Sequence, residues 1–272
     1  MCSHIEVNKP CYFSHTTCAR SDTFMYRKHR LFDTIMPFFL NKIKKNRAIS
    51  GLYWKIQPIY CAFVFPIIYR PKINSYLQSQ KTRKLQVGCG DKIKEGWLNT
   101  DRNPRRRAVF LDATKPFPLP DNSFDYVYAE NLLEHLPYED GVKFATECYR
   151  VLRKNGKLRV TTPDLNFLFQ IFTRKAEIHE AYLKWAVESN SLPKQVNSSV
   201  FVINNFFRAW GHTFVYDFET LSSLLTKCGF RDVTRFDLGK SDDVNLQNIE
   251  SHMAANQEFY RLESMFVEAS VH

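Results

Sequence analysis

The stretch from Lys84 to Asp101 carries residue types at spacings that suit the capture of a small ligand. Leu85, Gln86 and Val87 read as a short strand, and Gly88 and Gly90 bracket a turn where backbone must come close to another group. Trp97, Leu98 and Asn99 then resume extended structure before the carboxylate of Asp101. A dinucleotide turn needs a third glycine opening a full helix, and an acidic residue about 20 positions on. Here Ile93 holds the third glycine's place and Asp101 follows Gly90 by only 11 residues. No helix of ordinary length fits, so no helix N-terminus is built to receive a pyrophosphate. The spacing suits a ligand with one ribose and no phosphates, its amino-acid end over the glycine turn and its ribose hydroxyls on Asp101.

S-adenosylmethionine meets that description, and further motifs point the same way. Val87 to Gly90, Gly96 to Asp101, Asp112 to Asp121, Ser123 to Val127 and Glu134 to Leu136 follow one another in order. Together they resemble the successive motifs of class I S-adenosylmethionine-dependent methyltransferases, in particular a small bacterial type with a very short first crossover. The resemblance runs from about residue 82 to 270. It implies a Rossmann-like seven-stranded α/β sheet with helices on both faces and an antiparallel end. It also implies cofactor contacts from Gly88, Cys89, Gly90 and Asp101, with Asp112 and the Ala113 amide at the adenine. The alternative for Asp112 is a turn-forming residue after a strand, and its register with the other motifs favours the cofactor role. Asn131 is a further candidate cofactor neighbour, because ligands of open α/β sheets bind beyond the strands' carboxyl ends.

The elements that must hold these residues are legible in outline. Ala108 to Leu111 and Phe124 to Tyr128 read as strands, and Val142, Ala145, Cys148, Tyr149 and Leu152 recur at helical spacing in a helix ending near Gly156. Lys157 to Thr162 is a fifth strand closed by Pro163. Leu165 to Val187 reads as one apolar helix, followed by a polar linker over Ser189 to Ser199 and the segment Phe201 to Tyr216. This helical insertion, about 164–216, is expected to cover the acceptor. Asp217 is placed to cap a helix over Phe218 to Lys227 with Gly229 as its stop. Arg231 to Leu238 and Glu263 to Ala269 are the last two strands.

Transfer to an oxygen calls for a group that accepts a proton near neutral pH, which suits histidine. His4, His15 and His29 lie in the N-terminal region, and His179, His252 and His272 have no motif around them. His135 and His212 remain. His135 either orders the end of its motif or takes part in chemistry, as does Glu134. His212, in Trp210 to Asp217, resembles the family's His-x-x-x-Phe/Tyr-Asp segment and is the candidate catalytic base; the alternative is a histidine tied by hydrogen bonds into the lid.

The net charge of +10 over 272 residues is unevenly spread. Residues 1–80 hold 12 Lys/Arg against 3 Asp/Glu, whereas residues 81–272 hold 26 against 25. The chain therefore divides into a basic, partly disordered arm (1–80) and a methyltransferase domain (81–272). Within the arm, residues 1–22 read as a solvated tail, and aromatic and basic residues interleave over 24–70. That stretch suits an anionic membrane surface, a nucleic-acid backbone, or packing on the domain. A nucleic-acid substrate is disfavoured by the near-neutral domain. Nor does the segment after Tyr126 resemble the Asn/Asp-Pro-Pro-Tyr/Phe motif of base methyltransferases. The expected acceptor is a small molecule or a glycan, and a cofactor-binding module without turnover is the alternative. Seven scattered cysteines and no secretory signal point to a reduced, cytoplasmic protein, peripheral to the inner membrane face if the arm binds lipid. No metal is expected, since the gap from Cys11 to Cys18 exceeds ordinary ligand spacing.

Overall fold

The computed structural model describes residues 65–104, 108–173, 176–193, 198–251 and 256–272. The expected tail, and the basic aromatic stretch through residue 64, lie outside them. The first described α-helix, α1 (Arg70–Ser79), follows a π-helical turn and is anchored to the sheet. Ile73 is buried, and the Tyr76 hydroxyl donates to the Lys84 carbonyl at 2.9 Å while accepting from the Lys84 amide at 2.8 Å.

Seven strands form one sheet in the order β3-β2-β1-β4-β5-β7-β6. They are β1 (Lys84–Val87), β2 (Leu98–Asp101), β3 (Val109–Phe110), β4 (Phe124–Glu130), β5 (Leu152–Pro163), β6 (Arg231–Phe236) and β7 (Ser264–Ser270). The first five pair in parallel, while β7 runs antiparallel to β5 and β6 antiparallel to β7. This is the Rossmann-like seven-stranded sheet with an antiparallel end that the resemblance implies. Leu85, Phe124, Val127, Leu158 and Val160 are fully buried, as near-continuous apolar strands with both faces covered must be. Burial of each such side chain contributes about 1.5–3 kcal/mol. Val87 pairs with Ala129, so β1 and β4 deliver their carboxyl ends to the same edge.

Helix α2 (Tyr138–Val151) buries Phe144, Ala145, Cys148 and Val151 at helical spacing; of the expected set Val142 and Tyr149 are only half-buried and Leu152 opens β5, so the helix ends before Gly156. The single helix expected over 165–187 is two, α3 (Leu165–Thr173) and α4 (Glu177–Ser189). Ala176 is extended at ψ 145°, and the break lets Phe167, Leu168 and Ile171 face His179, Tyr182 and Ala186 across a shared core. α5 (Ser198–Arg208) adds Val202 and Phe206 to that core. α6 (Phe218–Lys227) starts at Asp217, whose carboxylate accepts from the Thr220 amide at 2.8 Å, and stops before Gly229 at φ +107°. α7 (Gln257–Glu263) leads into β7.

Arg159 on β5 is fully buried and lies opposite Glu268 on β7. Its guanidinium donates to Glu268, to Glu250 at 2.7 Å and to the Lys240 carbonyl at 2.9 Å. The loop between β6 and α7 is thereby tied down over the sheet. Removing one partner of such a buried group ordinarily costs about 3–5 kcal/mol.

Candidate active site

The glycine turn forms without a helix because its polar groups are satisfied within the turn itself. Gly88 and Gly90 stand at φ +71° and +51°, the left-handed region that L side chains avoid. A Cβ at Gly88 would lie 2.9 Å from a methyl of Leu132, whereas one at Gly90 would meet nothing within 4 Å. The Cys89 amide donates to the Thr100 carbonyl at 3.0 Å, which carries the β1–β2 ladder one residue into the turn. Asp101 accepts from the Gly90 amide at 2.9 Å and from the Asn103 amide at 2.6 Å. Asn99, which sequence reasoning did not single out, completes the crossover. Its side chain accepts from the Lys94 amide at 2.8 Å and donates to the Lys94 and Trp97 carbonyls, each at 2.9 Å. Burial, followed by the Asp101 carboxylate, pushes the Cys89 thiol up to about 12, so Cys89 packs as an apolar group and is no nucleophile at neutral pH.

The other cofactor candidates stand on the same edge. The Leu111 amide donates to the Asp101 carbonyl at 3.1 Å and so brings the end of β3 beside Asp101. One Asp112 oxygen accepts from the amide and hydroxyl of Thr114 at 3.0 and 2.8 Å, a local turn, while the other faces the Arg102 guanidinium at 3.4 Å. Ala113 behind it is buried. Asn131 follows β4 in the left-handed region at φ +49°, with its amide on the Thr161 carbonyl at 2.8 Å. Its side-chain oxygen is buried and has no hydrogen-bond partner, which suits a donor brought by a ligand. Carboxylates with lone pairs to spare, a left-handed turn open above Gly90 and the Asn131 oxygen fit a ligand with one ribose and an amino-acid end.

Beside Asn131 opens a cavity of ≈ 370 Å³. The strand edge contributes Asn131, Glu134, His135 and Pro163; α4 contributes Tyr182, Trp185 and Ser189; α5 contributes Asn205 and Phe206. Trp210, His212, Tyr260 and Glu263 complete it. The expected insertion thus forms one side of this cavity. Tyr182, Trp185, Tyr260 and Glu263 were not legible as a group, because their spacing matches ordinary core helix. The Tyr182 hydroxyl donates to Glu263 at 2.5 Å, and burial, then that carboxylate, raises its pKa.

Glu134, His135 and His212 meet in this cavity. The Glu134 carbonyl accepts the amides of Thr213 and Phe214 at 2.7 and 3.2 Å, joining the short 3-10 turn Leu133–His135 to the end of the insertion. The His135 and His212 rings stand edge to face, 5.0 Å between centroids. His212 Nδ1 lies 2.7 Å from the Phe206 carbonyl. A carbonyl only accepts, so Nδ1 carries the proton and Nε2 keeps its lone pair. Burial lowers the His212 pKa, and His135 lowers it further, against the Phe206 bond. The lone pair is therefore available at neutral pH. Glu134 is buried, and one of its carboxylate oxygens accepts from the Thr162 hydroxyl at 3.1 Å.

Comparison with known proteins matches residues 89–160 to the family model described as "Methyltransferase domain". A comparison with curated proteins gives no match. Among solved structures, the chain is similar to a "SAM-dependent methyltransferase, possible histamine N-methyltransferase" of Thermotoga maritima, with 18% identity, 80% of this chain and 98% of that one covered, and TM-score 0.40. A SAM-dependent methyltransferase of Archaeoglobus fulgidus shows 17% identity over 78% of this chain and 99% of its own, TM-score 0.43. Phosphoethanolamine N-methyltransferase 2 of Haemonchus contortus, in complex with S-adenosyl-L-methionine, shows 15% identity over 74% and 51%, TM-score 0.36. The family match lies across the glycine turn, β2, β3, β4 and most of β5 of a sheet in the 3-2-1-4-5-7-6 order, so that residues 89–160 match a methyltransferase domain.

Proposed function

We propose that this enzyme methylates an oxygen of a small-molecule or glycan acceptor held in the cavity beside Asn131. The observation that carries this reading is the ≈ 370 Å³ cavity at the strands' carboxyl edge, with a histidine whose tautomer leaves Nε2 as an acceptor. That volume lies within the range of small-ligand sites, about 300–1,000 Å³. Asp101 and the Gly88–Gly90 turn would hold the ribose and amino-acid end of S-adenosylmethionine, Asp112 and Ala113 the adenine, with Cys89 and Asn131 alongside. The cofactor supplies an electrophilic methyl group on a sulfonium, which departs as a neutral thioether. His212 Nε2 takes the proton of the attacking hydroxyl, and the walls from α4 and α5 keep water away and hold the acceptor in line.

Incubation with radiolabelled S-adenosylmethionine and pools of hydroxylated metabolites and sugars tests this reading. Label in a small product, with S-adenosylhomocysteine released, supports it; label only in DNA or RNA, or none despite cofactor binding, overturns it.

Peripheral contact with an anionic membrane through residues 24–70 belongs to the same reading, supported by 12 Lys/Arg against 3 Asp/Glu in residues 1–80. Among the described residues no helix is long and apolar enough to cross a membrane. Sedimentation with vesicles should depend on anionic lipid and weaken with salt. Equal sedimentation with neutral vesicles would remove the membrane role.

A further inference from the structure

Glu134, His135 and His212 each offer one ligand atom, and these three atoms lie within 4.8 Å of one another. We propose that they bind one divalent transition-metal cation, with its remaining coordination positions open to the cavity. Two imidazoles and a carboxylate suit zinc, iron, cobalt or nickel, whereas magnesium and calcium prefer all-oxygen sites.

The surroundings fit this use in three respects. The His212 Nδ1–H on the Phe206 carbonyl is the kind of outer bond that orients a metal-ligating histidine and leaves Nε2 for the ion. The Thr162 hydroxyl steadies one Glu134 oxygen in the same manner. The two chain segments are already joined through the Glu134 carbonyl and the Thr213 amide, so the ligands are brought together before any ion arrives. Donor atoms around a tetrahedral ion with bonds of about 2.1 Å stand about 3.4 Å apart, so the three ligand atoms draw in when they close on an ion.

The role of the ion rests on the reading of the cavity as the acceptor site. A cation there polarises an acceptor oxygen and favours acceptors with two neighbouring oxygens able to chelate it. A lone pair holds either a proton or a cation, so His212 in the metal form is a ligand and not the base.

The test uses the full chain, stripped with a chelator and titrated with Co²⁺ while visible absorption is followed. The expected result is one ion per chain with the bands of a tetrahedral or five-coordinate site. His135→Ala, His212→Ala and Glu134→Gln should each weaken binding by about tenfold or more, the scale of losses at metal sites. Calorimetric titration with S-adenosylmethionine and thermal melting are run on the same samples, and Glu134→Gln, which keeps shape, guards against misfolding of the alanine variants. Co²⁺ binding unchanged in all three variants would place the ion elsewhere and overturn the site. Absence of Co²⁺ binding with normal cofactor binding would remove the metal and leave the methyltransferase reading intact. Failure of cofactor binding in the unaltered chain would count against the methyltransferase reading instead.

Discussion

The glycine turn and the cavity beside Asn131 share one sheet edge but are built by opposite means. From Gly88 to Asp101 the turn closes on itself: the Cys89 amide on Thr100, the Gly90 amide on Asp101, and Asn99 holding Lys94 and Trp97. Each partner lies within the same short stretch. The cavity has no such economy. Glu134 and His135 meet His212 because Thr213 and Phe214 reach the Glu134 carbonyl, and the walls come from α4, α5 and α7. A locally closed turn keeps its shape when distant packing changes, whereas a pocket assembled from remote segments varies with the lid that covers it.

The largest expected effect separates chemistry from binding. His212→Ala should lower turnover by about 10²-fold or more, whether the residue acts as base or ligand, while cofactor affinity stays unchanged. Loss of cofactor affinity in that variant would mean that the two sides are not independent. On the cofactor side, Asp101→Asn should weaken S-adenosylmethionine by about 1–3 kcal/mol in calorimetry, the cost of a charge-assisted hydrogen bond. Unchanged affinity there would take the ribose away from Asp101.

Smaller effects test how local the turn is. Gly88→Ala meets both a left-handed φ and the Leu132 methyl, and should cost more than Gly90→Ala, which meets the φ alone. The left-handed penalty is about 1–2 kcal/mol, and paired melting curves should show Gly88→Ala as the less stable variant. The smallest effect lies away from both sides, at the α6 cap. Asp217→Ala should cost about 1 kcal/mol of stability without changing turnover. The Thr220 hydrogen bonds lower the Asp217 pKa, so its contribution is present above the unfolded carboxylate pKa and is lost as pH falls through the folded value. The difference in melting temperature between the two proteins should therefore shrink in acid.

How much was legible in the sequence follows this division. The Asp217 cap and the Gly229 stop lie where residue chemistry put them, because each depends on neighbours a few positions away, whereas β5 begins at Leu152 and not at Lys157. The break at Ala176 was not legible, since Leu165 to Val187 has no glycine or proline to mark it and only the packing of two helices against each other decides where it bends. Asp112 shows the limit at a single residue: the sequence left two readings open, and its Thr114 turn and Arg102 pairing engage both oxygens while leaving lone pairs for a further donor.

By itself the sequence determined the class of sheet, a glycine turn too short for a helix that could receive a pyrophosphate, and the concentration of positive charge before residue 81. These are matters of composition and of spacing along the chain. The tertiary structure alone decided that Glu134 and His135 face His212, that Tyr182, Trp185 and Tyr260 line a common cavity, and that the His212 tautomer is set by the Phe206 carbonyl. Those relations join residues far apart in the chain, and no local pattern records which distant segments the packing of a lid will bring together.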